Sequence, residues 1–182
     1  MIAGYGWTTR GRARPPRRRG RKEAQVDGLA EDEAAIVALV REFTEREVKP
    51  VVRELEHDNA DTAKLIDRMK EMGIFGLAIP GPWGGTHVST QCYAAVTEEL
   101  ARGWMNLADA MGGHTVATKL LVTYGTPEQK DAYLPKMATG EIRAAMALTE
   151  PGGGSDLQAM RTTARRDGDE YLVNGADTMA PQ

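Results

Sequence analysis

The sequence has a single cysteine, Cys92, among its 182 residues. A disulfide within the chain and a cysteine-rich metal site are therefore excluded, and a buried thiol is the expected role of Cys92. Long apolar runs are also missing, because no stretch approaches the roughly 20 residues that cross a bilayer. With 41% hydrophobic and 27% charged residues, the composition is globular. We expect a soluble, intracellular protein without a membrane span.

The three histidines lack the spacing of metal ligands. His57, His87 and His114 also have no serine or cysteine partner at a recognisable distance, so neither a metal site nor a nucleophilic triad is predicted. His114 follows Gly112 and Gly113, where small side chains would let another element or a ligand approach closely. We favour a packing or surface role for His114 over a place in a ligand channel.

Acidic residues are absent from the first 22 positions, which carry eight of the 23 Lys and Arg residues. The remainder has 15 basic and 26 acidic residues, a formal charge of −11. Residues 1–28 show no apolar period and are predicted to be a disordered basic leader. A non-native extension, a targeting peptide and a nucleic-acid arm remain open for it, and the acidic body disfavours nucleic acid. The expected location is the cytoplasm, or the mitochondrial matrix if the leader is a targeting peptide.

Helical periodicity dominates the first part of the remaining chain. Apolar residues recur at three- and four-residue steps over residues 31–55, where Pro50 is expected to kink or divide the helix. Proline and glycine crowd residues 74–88, which are predicted to be a loop. Thr126 and Pro127 have the residue types of a helix cap and a first helical position. Four further helices are predicted, over residues 62–72, 89–102, 106–123 and 126–140.

Short runs bounded by turns replace the helical pattern after residue 143. Residues 144–148, 161–166 and 171–173 are predicted to be strands joined by hairpins. The predicted fold is therefore mainly α, with a helical domain over residues 29–143 followed by the first strands of an incomplete, truncated β domain over residues 144–182.

Three consecutive glycines follow the first predicted strand, within Thr-Glu-Pro-Gly-Gly-Gly-Ser-Asp at residues 149–156. Glycine lets the main chain approach a bulky group, so that successive N–H donors can converge on a phosphate or pyrophosphate. A flexible turn explains the glycines equally well. No Lys-Ser or Lys-Thr follows them, which excludes a P-loop, and their spacing is not that of a dinucleotide-binding turn.

The order of the motifs resembles that of the acyl-CoA dehydrogenase family, whose flavin loop reads apolar-Thr-Glu-Pro-small-small-Gly-Ser-Asp. The resemblance covers residues 29–175. Its most specific parts are Pro-Trp-Gly-Gly at 82–85, Tyr-Gly-Thr-Pro-Glu-Gln-Lys at 124–130, the loop at 149–156, Thr-Thr-Ala at 162–164 and Asn-Gly at 174–175. Such proteins have an N-terminal helical domain, a middle β-barrel and a C-terminal helical bundle, so we expect this chain to be an N-terminal portion.

The resemblance implies flavin adenine dinucleotide (FAD) as cofactor and an acyl-CoA as substrate. The residues implied to bind FAD are Met146, Ala147, Leu148 and Thr149 along the flavin ring, and Gly154 and Ser155 at the pyrophosphate. Ser155 is also implied to meet the pantetheine arm of the acyl-CoA. The implied reaction is α,β-dehydrogenation of the thioester, as in fatty-acid oxidation. For the complete enzyme the resemblance implies electron-transfer flavoprotein or a similar acceptor, and a homo-oligomer.

The catalytic base of the family is a glutamate in the C-terminal domain, so no catalytic residue is assigned here and the chain alone is expected to be nearly inactive. Glu150 belongs to the loop and does not replace that base. Glu98 and Glu99 are predicted to face solvent or to cap a packing contact.

The family pattern fails after residue 175, where a Lys and an aromatic-apolar-Thr-Asn run are expected. Met179 and Pro181 stand at the positions of the aromatic residue and the Thr, which we interpret as a truncation or a change of reading frame. A noncatalytic helical module that docks on a full-length relative or another protein is the alternative function.

Overall fold

The computed structural model describes residues 28–57 and 62–177. The predicted leader, apart from Gly28, and residues 178–182 of the interrupted motif lie outside the described residues. Within the described ranges the chain forms six α-helices and one two-stranded antiparallel sheet. The prediction of a mainly α fold with the beginning of a β domain is confirmed.

The helices follow the predicted periodicity closely. Their bounds are α1 Glu31–Phe43, α2 Val52–His57, α3 Ala63–Glu71, α4 Thr90–Gly103, α5 Met105–Tyr124 and α6 Pro127–Ala138. The first helix continues into a π-helical segment, Thr44–Val48, and Pro50 lies in the turn before α2. Pro50 therefore divides the predicted helix, since its ring removes a main-chain donor. Among the described residues, no helix is long and apolar enough to cross a membrane.

The predicted start of α6 is confirmed. The Thr126 hydroxyl accepts a hydrogen bond from the Gln129 main chain at 3.3 Å, and the Gln129 side chain accepts one from the Thr126 N–H at 2.9 Å. Pro127 occupies the first turn of α6. Main-chain N–H groups in the first turn of a helix have no partner within the helix, so the missing N–H of proline costs no hydrogen bond there. This reciprocal cap sets the end of the connection between α5 and α6.

The main core lies where α1 and α4 pack together and α5 packs on α4. Cys92 is fully buried in this core, which confirms its predicted role. The largest buried side chains of the core are Met69, Ile74, Phe75, Leu100, Leu107 and Met111. A second cluster joins Ile79 to Leu134 and Met137 of α6. The loop between α3 and α4 is therefore packed against α6.

The loop of residues 74–88 contains two short 3₁₀ turns, Ile74–Gly76 and Gly81–Trp83. Its returning end is tied to its beginning, because the Thr86 N–H donates to the Gly76 carbonyl at 3.0 Å. The Trp83 indole N–H donates to the Asp131 carboxylate of α6 at 2.9 Å. The loop prediction is confirmed, and its fixed shape comes from these bonds.

Two neighbouring glutamates on α4 have different surroundings. Glu98 is exposed, as predicted. Glu99 is only 2% exposed, with its carboxylate 2.9 Å from the Arg41 guanidinium and 2.5 Å from that of Arg102. Of the two predicted roles, facing solvent is therefore wrong for Glu99, which lies at the packing contact between α1 and α4. Burial of this charge is possible because α1 and α4 each supply an arginine.

The sheet consists of β1 Thr163–Asp167 and β2 Glu170–Asn174, with Thr163 opposite Asn174. These strands confirm two of the three predicted ones, with bounds shifted by one or two residues. Residues 144–148 were also predicted to be a strand, and this prediction is wrong. They form no strand and pair with no other segment in the described part of the chain. An apolar run becomes a strand only when a second segment accepts its main-chain hydrogen bonds.

Candidate functional site

The site predicted from the sequence begins with residues 144–149, which run from the helical body to the glycine loop. Burial alternates along this segment: Met146 and Leu148 are half-buried, whereas Ala145 and Ala147 are exposed. Such alternation is typical of an extended backbone, whose side chains point to opposite sides. The exposed side carries only methyl groups at these two alanines, so a flat ring could approach the main chain there.

The glycine loop closes on itself directly after Thr149. The Glu150 N–H donates to the Gly153 carbonyl at 3.0 Å, and the Gly153 N–H returns a bond to the Glu150 carbonyl at 3.1 Å. A Cβ added at Gly152 would meet no atom within 4 Å, and one at Gly154 would meet only a Thr149 methyl at 3.6 Å. The glycines are therefore not needed for internal packing, and the loop leaves open space around its main chain.

The Glu150 carboxylate is held by the residues that precede β1. One oxygen accepts hydrogen bonds from the Thr162 N–H at 2.7 Å and the Thr162 hydroxyl at 2.6 Å, and the other accepts from the Arg161 N–H at 2.7 Å. These bonds, that of the Thr162 hydroxyl first, lower the pKa of Glu150 below its ordinary value. We call this arrangement the Glu150 clamp. It ties the loop to the entrance of the sheet.

Sequence reasoning did not identify Arg161 and Thr162 as partners of the loop. They lie 11 and 12 residues after Glu150, and no short motif links positions at that distance. In the sequence, the Thr-Thr-Ala run is recognisable only as part of the family pattern. The one available signal for the contact is that this run follows a loop that contains a carboxylate.

The loop has the donors that an anion requires. Within the part of the chain that the structure describes, the main-chain N–H groups of Gly154 and Ser155 have no hydrogen-bond partner. The nearby Asp156 carboxylate accepts from the Gln158 N–H at 3.2 Å and begins a 3₁₀ turn. With Glu150 held in its clamp, neutral donors remain at Gly154 and Ser155. These residues fit a phosphate or pyrophosphate group.

A cavity of about 420 Å³ lies beside the start of the same segment. Its walls come from α3, α5 and residues 143–145, and include Asn106, Asp109, Gly113 and His114. His114 is 1% exposed, which confirms the favoured packing role. It also lies on the wall of this cavity, whereas its place in a ligand channel stays a prediction. The cavity and the exposed side of residues 144–149 adjoin at Ala144 and Ala145.

The sequence of this chain is similar to those of several known proteins. Residues 30–141 match the family model described as acyl-CoA dehydrogenase, N-terminal domain. The chain is 37% identical over 160 residues to (2S)-methylsuccinyl-CoA dehydrogenase of Cereibacter sphaeroides, covering 87% of this chain and 29% of that protein. It is 36% identical over 158 residues to the Caffeyl-CoA reductase-Etf complex subunit CarC of Acetobacterium woodii, covering 84% and 42%.

The fold of this chain is also similar to that of a solved structure. Acyl-CoA dehydrogenase complexed with FAD from Bacillus anthracis superposes with a TM-score of 0.72 at 32% identity, over 85% of this chain and 28% of that one. The chain thus spans less than half the length of each of these proteins. The family model covers more than half of this chain, and the fold agrees over most of its length. The chain belongs to the acyl-CoA dehydrogenase family.

Proposed function

We propose that this chain supplies one wall of the active site of an FAD-dependent acyl-CoA dehydrogenase, which oxidises the α,β bond of an acyl-CoA thioester. The observation that carries the proposal is the open glycine loop directly after residues 144–149, with unengaged N–H groups at Gly154 and Ser155. FAD would accept the hydride in such a reaction. The (2S)-methylsuccinyl-CoA dehydrogenase and FAD-complexed relatives support this assignment.

Each predicted site residue has a role in this proposal. Met146, Ala147 and Leu148 would line the flavin ring through their main chain, and Thr149 would bind its polar edge. Gly154 and Ser155 would donate to the pyrophosphate, where neutral donors suit a charged group, and Ser155 would also meet the pantetheine arm. The cavity beside Ala144 would receive the acyl group. Electron-transfer flavoprotein is the proposed acceptor, as the name of the Etf-complex relative suggests.

We assign no catalytic base among the described residues. The base must hold a free carboxylate beside the α carbon of the substrate. Glu150 does not meet this requirement because three hydrogen bonds occupy its oxygens. Glu99 does not meet it either, since it is buried between two arginines. The base would come from outside the described residues, and the chain alone is expected to be nearly inactive.

A chimera tests the assignment of the flavin wall. Residues 30–175 of this chain would replace the matching span of the Bacillus anthracis enzyme. We expect the purified chimera to keep its flavin absorbance and to reduce a dye with an acyl-CoA. Thr149→Val within the chimera should lower the rate about 10- to 100-fold, since it removes a donor to the reduced flavin. A chimera with a native circular dichroism spectrum but no flavin would contradict the proposal.

The isolated chain provides the complementary test. A dye-reduction assay with several acyl-CoAs should show no turnover above the background. Robust turnover, or a yellow chromophore that co-purifies with the chain, would contradict the assignment of the chain as an incomplete active site.

A noncatalytic docking module is the second candidate function. Exposed apolar side chains favour it: Val116, Leu120 and Tyr124 lie along one face of α5, and Tyr171 is exposed on the hairpin. A row of exposed apolar side chains along one helix face is typical of an interface. Size-exclusion chromatography with light scattering separates the candidates, since a well-folded chain that remains monomeric would count against docking.

The Glu150 clamp leads to a testable pH dependence. Because the pKa of Glu150 is lowered, the clamp should be complete above about pH 4.5 and be lost as the pH falls through the lowered pKa. The backbone amide shifts of Arg161 and Thr162, followed by NMR, should titrate in that range. In Glu150→Gln they should be shifted at pH 7 and no longer follow this titration. Glu170→Gln, an exposed change on β2, is the control and should leave the titration unchanged.

A further inference from the structure

His114 lies at the junction between the helical body and residues 144–149. It is on α5, and its Nδ1 accepts a hydrogen bond from the Ala144 main-chain N–H at 3.3 Å. Its ring packs edge-on against Phe75, with the ring centroids 5.3 Å apart and the planes at 84°. The imidazole is thus held by the turn that follows α3 on one side and by the start of the segment on the other.

The hydrogen bond determines the state of the ring. An Nδ1 that accepts cannot carry a proton, so the proton of the neutral ring is on Nε2. Burial is the largest effect on the pKa of His114 and lowers it, and the charge of Arg143 acts in the same direction. The Met137 and Phe75 carbonyls lie near the ring and each oppose this lowering of the pKa more weakly than burial causes it, but they do not reach hydrogen-bond geometry, and Nε2 has no hydrogen-bond partner among the described residues. The ring is therefore neutral at pH 7.

We propose that neutral His114 is the positioning residue that ties residues 144–149 to the helical body, and that protonation of its ring releases this segment. In the protonated ring both nitrogens are donors, so the Ala144 N–H would face another N–H group. Ala144 lies five residues before Thr149, so its bond to His114 would fix the position in space from which the predicted flavin-binding residues begin. That consequence rests on the function proposed above, whereas the tie itself does not.

The charged groups around the ring are few. The ionisable residues on the cavity walls with His114 are Asp109 of α5 and Arg143, which directly precedes the segment. Thr62, at the start of α3, and Ile66 of α3 also line the cavity and carry no charge, and Phe75 and Met137 approach from the 3₁₀ turn and α6. The comparison of the wild type with His114→Asn therefore assigns any pH dependence at Ala144 to the imidazole.

Hydrogen exchange of the Ala144 amide, measured by NMR on the full chain from pH 8 to pH 4, tests the proposal. After correction for intrinsic exchange, the wild-type amide should be at least 10-fold more protected at pH 8 than in His114→Phe, which keeps a ring but has no acceptor. This protection should disappear as the pH falls below about 6.5. His114→Asn should restore it at every pH, because the Asn carbonyl can take the place of Nδ1 and does not titrate.

Two results would overturn the proposal. One is equal protection of Ala144 in the wild type and His114→Phe at pH 8. The other is a pH dependence that persists in His114→Asn. If His114→Phe fails to fold by circular dichroism, the comparison of wild type with His114→Asn still decides the question. No flavin is needed in these measurements, so failure of the tie is distinguishable from failure of the proposed dehydrogenase function.

Discussion

Substitution of Gly85 by alanine is expected to lower the free energy of unfolding by about 3 kcal/mol, the upper part of the range for overpacked sites. A Cβ at position 85 would lie 1.9 Å from the Ile79 carbonyl oxygen and 2.6 Å from the Ile79 Cβ. Ile79 is fully buried and packs with Leu134 of α6. Neither Gly85 nor Ile79 can give way without a shift of the main chain, so the clash must distort the loop of residues 74–88 at the point where Ile79 packs on α6.

The adjacent glycine provides a matched control. Gly84 has a φ of +82°, and a Cβ there would meet no atom within 4 Å. Gly84→Ala therefore costs only the conformational penalty of the left-handed region, about 1 kcal/mol. Urea denaturation, monitored by the helical signal in circular dichroism, measures the free energy of unfolding of both variants. Equal losses of stability at the two positions would show that the close approach of Ile79 is not the reason why glycine occupies position 85.

Replacement of Glu99 by glutamine is expected to lower the free energy of unfolding by about 3 kcal/mol, the lower end of the range for breaking a buried ion pair. The charge of Glu99 is shared by Arg41 and Arg102, and both would lose this buried partner while α1 and α4 stay packed, although Arg102 keeps its ion pair with Glu45 at 3.2 Å. The loss should not be larger, because both arginines are 31% exposed and can be solvated in part.

Glu98→Gln is the control for this prediction. Glu98 precedes Glu99 on the same helix but is exposed, so its change should stay within about 0.5 kcal/mol. Denaturation at pH 7 in low salt compares the two variants. A similar small effect for both would mean that the buried carboxylate contributes no more to the contact between α1 and α4 than a surface charge does.

Local patterns predicted the helices of this protein well. The cap at Thr126 and the break at Pro50 depend on hydrogen bonds within four residues, which a sequence displays directly. The loop at residues 74–88 was recognised from its prolines and glycines for the same reason. Its bond from Trp83 to Asp131 spans 48 residues and was not visible in any pattern.

The strand predicted at residues 144–148 shows where such patterns fail. Its apolar run is compatible with a strand, but a strand also needs a partner segment, and none pairs with it among the described residues. Instead, the first main-chain N–H of the segment donates to His114. For the candidate site, the sequence identified the loop and the segment, whereas their hydrogen-bond partners lie 11 to 30 residues away.

The family, the order of the helices and the glycine loop could be predicted from neighbouring residues, because their spacing has a local physical meaning. The burial of Glu99, the bonds from Thr162 to Glu150 and the bond from Ala144 to His114 are visible only in the folded chain. These contacts join residues that are distant along the chain, and packing of the helices brings Glu99 and His114 to their partners. An ionisable side chain takes its role from the groups that surround it.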